Sequence, residues 1–286
     1  MEEDNPVKQF YFRNAVLDLG KAEVENGMWM LSEQGRAMMQ ELEKGFGTYD
    51  PAQVRFTAFV PELYLLSAAE RKGEGSSVGL GIAGLGAGEG EQTLLLIDLV
   101  PGAAVQALHC DAVLIGSHEE RQEKLSILSH GGVSNQVAIA ALARMFNEEI
   151  LRAQKNGLHV VYCLGETKEE LNDWKAVLGQ LLSIGLAGAD LNKVTIAYEP
   201  LWGKKMEEPF LDVVRTEVIV RFLRSEAEGV PVVYGGKLNQ KLASALATIQ
   251  EIDGIYFAPG GMIKDNLSIV QAYLLPERCS DCIFLR

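Results

Sequence analysis

The chain lacks the features that mark membrane, secreted and nucleic-acid-binding proteins. No apolar run approaches the roughly 20 residues that a membrane-spanning helix needs, and the first residues, MEEDNPVKQF, lack a signal's basic start and apolar middle. Basic residues are scarce, at 26 Lys and Arg against 39 Asp and Glu, for a net charge of -13. Because such a charge repels phosphate backbones, we expect a cytoplasmic protein with neither a membrane nor a nucleic-acid partner.

Cysteine is also sparse, with four residues in 286. Cys110 and Cys163 lie in apolar stretches and are predicted to be small core residues. Cys279 and Cys282 form a single CxxC with no second CxxC and no nearby histidine, which favours reduced thiols over a metal site or a disulfide. The glycine-rich stretch 84–92 does not open a helix, which argues against a dinucleotide-binding loop. We expect neither a metal nor a cofactor.

Short β-branched or aromatic runs alternate with longer amphipathic segments along the whole chain. The predicted strands are Phe10–Leu17, Val54–Val60, Val78–Gly84, Ala112–Ile115, His159–Leu164, Val194–Glu199, Pro231–Tyr234 and Gly254–Phe257. The clearest predicted helices are Val133–Gln154, Lys168–Leu186, Pro209–Glu228 and Ile263–Leu274. Eight strand-then-helix units predict an α/β protein, a closed (β/α)8 barrel in a single domain over 1–286, with an N-terminal extension (1–8) and a C-terminal tail (275–286).

In such barrels the chemistry lies at the carboxyl ends of the strands. Glu199 is the strongest candidate there, because it ends an apolar strand and is followed by Pro200, Leu201 and Trp202, whose indole is expected to shield it. Two interpretations are open for this carboxylate. It is a proton-abstracting base, or it is a strand-end glutamate paired with a lysine or arginine.

Four motifs at predicted strand ends resemble those of the triosephosphate isomerases. They are CLGE (163–166), AYEPLW (197–202), YGGK (234–237) and DGIYFAP (253–259), beside the family's CIGE, AYEPVW, YGGS and DGFLVGG. The resemblance implies the TIM barrel fold, the interconversion of glyceraldehyde 3-phosphate and dihydroxyacetone phosphate, and a small anionic, sugar-phosphate-like ligand. It also implies a possible homodimer through the loop after the third strand, which corresponds to residues 84–98.

The resemblance further implies roles for individual residues. Glu199 matches the family's base, and His118 is the candidate for its catalytic histidine. The positions that match ligand-binding motifs are Asn14, Gly203, Gly235, Gly236 and Lys237.

The stretch IGSHEER (115–121) can be aligned with the family's GHSER in two registers. Without a gap, Ser117 takes the place of the histidine, and Ser117 with Glu120 forms a helix capping box. If Ser117 is an inserted residue in a bulge, His118 takes that place instead. The sequence leaves both registers open.

Several positions depart from the family's pattern. Val16 stands where the family has a substrate-binding lysine, and strand parity predicts that Arg13 faces outward and does not replace it. The lid after Trp202 is short and bears Glu207 and Glu208, and Lys237 replaces a serine. The family's Gly-Gly pair aligns with Ala258 and Pro259, and proline has no N–H to donate to a phosphate, although a two-residue slip would bring in Gly260 and Gly261.

These changes predict that the isomerase activity is weak, altered or lost. The alternative is a catalytically silent barrel that serves as a binding or interaction protein. A third interpretation is an altered substrate, admitted by Lys237 and the shortened lid.

Overall fold

The computed structural model describes residues 6–13, 28–60, 62–83, 102–105, 107–202, 211–257 and 263–276. Its eight strands run in parallel and close in sequence order into one barrel, which confirms the predicted (β/α)8 architecture. The strands are β1 (Lys8–Arg13), β2 (Val54–Phe59), β3 (Gly79–Ala83), β4 (Ala112–Ile115), β5 (His159–Leu164), β6 (Val194–Tyr198), β7 (Val232–Gly235) and β8 (Gly254–Phe257).

Helices follow the strands on the outside of the barrel. Those within the described residues are α1 (Met28–Phe46), α2 (Glu62–Gly73), α3 (Gly102–Val105), α4 (His118–His130), α5 (Asn135–Lys155), α6 (Trp174–Gly185), α7 (Val213–Glu226), α8 (Gln240–Leu246) and α9 (Ile263–Leu274). The last has the predicted bounds. The helix predicted over Lys168–Leu186 begins only at Trp174, because residues 169–173 form turns. Within the described ranges, no helix is long and apolar enough to cross a membrane.

Alternate residues of each strand face the barrel interior or the surrounding helices. One buried cluster fills the interior and contains Tyr11, Phe59, Ala112, Leu114, Val161, Cys163, Ala197, Val233 and Tyr256. The residues of opposite parity, such as Phe10 and Phe12, pack in the larger core between strands and helices. The prediction of a buried Cys163 is confirmed, whereas Cys110 is only partly buried.

The same parity corrects the prediction for Arg13. Because Tyr11 belongs to the interior cluster, Arg13, two residues further along β1, is on the inward-facing register as well. The predicted outward orientation of Arg13 is therefore wrong. The run Phe10-Tyr11-Phe12 is aromatic on both faces, so its pattern did not reveal which parity faces inward.

Candidate active site

Glu199 directly follows β6 at the carboxyl end of the barrel, and its side chain is 1% exposed. Its Oε2 accepts hydrogen bonds from the backbone N–H of His118 (3.1 Å) and from Nη2 of Arg121 (3.4 Å). Arg121, itself 3% exposed, also donates from Nη1 to the carbonyl oxygen of Gly165 (2.8 Å). The buried carboxylate is thus held in place by a cation and an amide. This agrees with the interpretation of Glu199 as a strand-end glutamate paired with a lysine or arginine.

Ser117 is the N-cap of α4, and the helix begins at His118. The hydroxyl of Ser117 accepts from the N–H of Glu120 (3.4 Å), and Glu120 Oε2 accepts from the N–H of Gly116 (2.7 Å). These are the contacts of the capping box that the gapless alignment predicted, with Glu120 reaching one residue further back than expected. The capping box is the local structure that accompanies the register in which Ser117 occupies the place of the family's histidine.

In that register His118 reaches the site through its backbone. It is the first residue of α4, its side chain is partly buried, and its N–H donates to Glu199. The sequence had singled out the imidazole of His118, while the amide of the same residue is the part seen in contact with the carboxylate.

Arg13 extends from the end of β1 and forms an ion pair with Glu119 in the first turn of α4. Its side chain is 12% exposed and lies near the hydroxyl of Tyr256. A guanidinium is therefore present in this part of the barrel. Val16, the residue aligned with the family's lysine, lies outside the described residues.

Tyr256 on β8 is a site residue that the sequence reasoning missed. It faces the interior, its side chain is fully buried, and its Oη makes no hydrogen bond of good geometry among the described residues. Burial, and then the nearby Cys163 and Glu199, raise the pKa of Tyr256 well above its usual value, against a lowering effect of Arg13. A neutral phenol thus lies near both Glu199 and Arg13. A polar aromatic in an otherwise apolar strand was the available signal.

Gly235, one of the predicted binding residues, ends β7 beside Glu199. A Cβ atom on Gly235 would lie 3.4 Å from Cβ of Glu199 and 2.7 Å from Cδ1 of Tyr256. The next two residues, Gly236 and Lys237, continue along the rim, and Lys237 is exposed. The other two predicted binding residues, Asn14 and Gly203, lie outside the described residues.

Replacing Gly235 with alanine is expected to displace the Tyr256 ring and lower the free energy of unfolding by about 1–3 kcal/mol, the usual effect of overpacking. Chemical denaturation measures this change. Gly45→Ala is the matched control, because a Cβ there lies 3.8 Å from Leu267 in ordinary contact and a helical alanine is favoured over glycine. Equal stability of the two variants would contradict the close packing around Gly235.

A second buried carboxylate, Glu166, fixes the segment that carries Glu199. Its oxygens accept hydrogen bonds from the Tyr198 hydroxyl (3.2 and 3.3 Å), the Trp202 indole N–H (3.1 Å) and Arg215 Nη2 (2.9 Å). The indole expected to shield Glu199 therefore directs its N–H to Glu166. Because three donors satisfy this carboxylate, the chain before and after Glu199 is tied to β5 and α7.

The fold and the site define a (β/α)8-barrel protein with a buried, inward-facing carboxylate at the end of its sixth strand. The family model for triosephosphate isomerase matches residues 32–273. The triosephosphate isomerase of Pseudomonas putida is 31% identical over 251 residues, which is 82% of this chain and 92% of that protein. That of Ruegeria pomeroyi is 28% identical over 266 residues, 87% of this chain and 95% of that protein.

The chain therefore belongs to the triosephosphate isomerase family. Its fold also matches the crystal structure of triosephosphate isomerase from Bartonella henselae with a TM-score of 0.65, over 94% of this chain and 99% of that one. At 20% identity, the match to that structure bears on the fold alone.

Proposed function

We propose that the chain is a slow triosephosphate isomerase that interconverts glyceraldehyde 3-phosphate and dihydroxyacetone phosphate, with Glu199 as the base. The observation that carries the proposal is the position of the Glu199 carboxylate. It lies buried at the end of β6 in the same mouth of the barrel as the inward-facing guanidinium of Arg13. A base and a cation in one site are what proton transfer next to a carbonyl needs.

In this reaction Glu199 removes a proton from the hydroxyl-bearing carbon next to the carbonyl and returns it to the former carbonyl carbon. The proton of that hydroxyl passes to the former carbonyl oxygen, so the hydroxyl-bearing carbon becomes the new carbonyl. Negative charge develops on the carbonyl oxygen in between, and the Arg13 cation stabilises it. The hydroxyl of Ser117 is a weaker hydrogen-bond donor to that oxygen than an imidazole positioned for the purpose. Loss of one such donor costs about 100- to 1000-fold in rate, which is why the proposed activity is slow.

The phosphate end of the substrate is assigned to the rim. Lys237, exposed after β7, supplies a positive charge, and Gly236 beside it supplies a backbone amide. Asn14 and Gly203 complete the proposed set by their place in the family's motifs. We also propose that the protein is cytoplasmic and forms a homodimer through residues 84–98, on the basis of family resemblance and the apolar run TLLLIDLV.

The role of Arg13 is tested with a charge-removing and a charge-keeping variant. Arg13→Gln is expected to lower kcat/KM for glyceraldehyde 3-phosphate by about 100-fold, because the developing oxyanion loses its cation. Arg13→Lys is expected to retain most of the rate. A coupled assay in both directions measures the effect, and circular dichroism confirms that each variant is folded. Equal rates for wild type and Arg13→Gln would remove Arg13 from the site.

The second candidate is a catalytically silent barrel. The observation that favours it is the ion pair of Glu199 with Arg121, since a carboxylate engaged in this way serves the structure even without a reaction. The assay separates the two candidates. Wild-type turnover above the buffer rate that falls in Glu199→Gln excludes the silent barrel, and the absence of turnover excludes the isomerase.

A further inference from the structure

The amino-terminal end of the barrel, opposite Glu199, contains a cavity of about 340 Å³. It is lined by residues at or near the beginnings of β1 to β5, with one lysine from α2. The polar lining residues that carry the argument are Gln9, Tyr11, Arg55, Lys72, Asp111 and His159. Thr195, which bonds to the lining residue His159, lies at the beginning of β6, four residues before Glu199. Four residues of extended strand span about 13 Å, so this cavity is separate from the candidate active site.

The cavity exists because the first inward-facing layer of the barrel does not fill it. Bulky branched apolar residues usually pack this layer in (β/α)8 barrels. Here β3 contributes Gly79, which has no side chain, while β2 contributes Arg55 and Thr57 and β5 contributes His159. The replacement of apolar volume by polar groups leaves a space that can admit a small molecule.

The positive charges around the cavity are not all neutralised. Lys72 forms an ion pair with Asp111 (3.2 Å), whose Oδ2 also accepts from the N–H of Leu80 (2.8 Å). The side chain of Arg55, in contrast, makes no hydrogen bond or ion pair with any described residue, and Arg55 is exposed where it lines the cavity. Its guanidinium, with five N–H donors, therefore faces the cavity without an anionic partner in the part of the chain that the structure describes.

An uncharged hydrogen-bonded network adjoins the cavity at His159. His159 Nε2 meets the hydroxyl of Thr195 (2.9 Å), which is fully buried and donates to Oε1 of Gln9 (3.1 Å). The hydroxyl of Tyr11, 4% exposed, also bonds to Gln9 and to Thr195. Because these groups satisfy one another, they fix the orientation of the His159 ring at the wall of the cavity.

We propose that this cavity is a binding site for a small oxyanion, of the carboxylate or phosphate type, with Arg55 as its principal ligand. The geometry provides the Arg55 guanidinium, which no described residue engages and which can form a two-pronged contact, together with Lys72, already paired with Asp111, and the imidazole of His159. A volume of about 340 Å³ suits a small organic anion. The site is independent of the proposed isomerase reaction, so either can fail without the other.

Protonation of His159 offers a readout inside the cavity. Burial, and then the charge of Arg55, lower the pKa of His159 to about 4. The other titratable groups that line the cavity with it are Tyr11 from β1, Lys72 from α2 and Asp111 before β4. A bound anion offsets Arg55 and favours the charged imidazole, so binding raises the pKa of His159 and becomes tighter as the pH falls from 7 towards 5.

The test is a titration with sulfate, which keeps its double negative charge over this pH range, followed by the ring-proton NMR signals of the four histidines. Saturable shifts of the His159 signal are expected in the wild type. Arg55→Gln is expected to weaken binding by at least about 10-fold, and Arg55→Lys to recover part of it. Lys44→Gln, which removes an equal charge from a side chain that is 79% exposed, is expected to bind as the wild type.

Three results would overturn the proposal. The first is a His159 signal that does not shift. The second is a set of shifts confined to His118, which would place the ion at the other end of the barrel. The third is an Arg55→Gln variant, folded by circular dichroism, with unchanged affinity for sulfate.

Discussion

Glu199→Gln is expected to reduce the turnover of triose phosphates by about 100- to 10,000-fold, the usual contribution of a positioned base. Glutamine keeps the length and an oxygen that can accept from the N–H of His118, but it cannot take up the substrate proton. The measurement is kcat in both directions, together with the exchange of substrate hydrogen into deuterated water. Exchange should fall with turnover, because both depend on the same proton transfer.

The interpretation of that loss depends on two comparisons. Glu226→Gln, a change of the same kind at an exposed position near the end of α7, is expected to leave turnover unchanged. Glu199→Asp keeps the charge but withdraws the carboxylate from the substrate. Its turnover is expected to lie between that of the wild type and that of Glu199→Gln. A wild-type rate in Glu199→Gln would show that another group carries the proton.

The fold could be predicted from the sequence because each strand-and-helix unit has its own pattern. The strands β4, β5 and β8 were predicted with their observed bounds. The apolar runs that form these strands are buried on both faces, as expected of parallel strands, and each run is flanked by turn residues. The position of Glu199 followed from the same pattern, because a charged residue ended an apolar strand.

The orientation of side chains within the site was harder to predict. Arg13 was assigned the wrong face because β1 is apolar on both sides and because the alignment of this strand with the family's first strand rested on Asn14 alone. The choice between Ser117 and His118 depended on whether a capping box or a bulge forms, and both are compatible with the same letters. Local hydrogen bonds, which the alignment does not contain, favour the capping box.

Long-range pairs were the least predictable part. Arg121 and Glu199 are 78 residues apart, and Arg13 and Glu119 are 106 apart. No local pattern links such residues, since only closure of the barrel brings the ends of β1, β4 and β6 together. The resemblance to known motifs located Glu199, but it offered no reason to expect that its charge is paired with Arg121.

That pairing gives the largest expected effect on stability. Arg121→Met is expected to lower the free energy of unfolding by about 3–5 kcal/mol, the typical result of removing one member of a buried ion pair. Methionine preserves apolar volume, so the loss comes chiefly from Glu199, 1% exposed, left without its cation, and from the Gly165 carbonyl left without its donor. Denaturant titration near neutral pH measures the change.

The exposed pair Arg221 with Glu251 provides the comparison. Arg221 is 59% exposed, so Arg221→Met is expected to cost less than about 1 kcal/mol. Adding Glu199→Gln to Arg121→Met should restore part of the lost stability, because the uncompensated buried charge is removed. If Arg121→Met cost no more than Arg221→Met, the ion pair would not hold Glu199. The position of the carboxylate at the end of β6 would then depend on the N–H of His118 and on the Glu166 network.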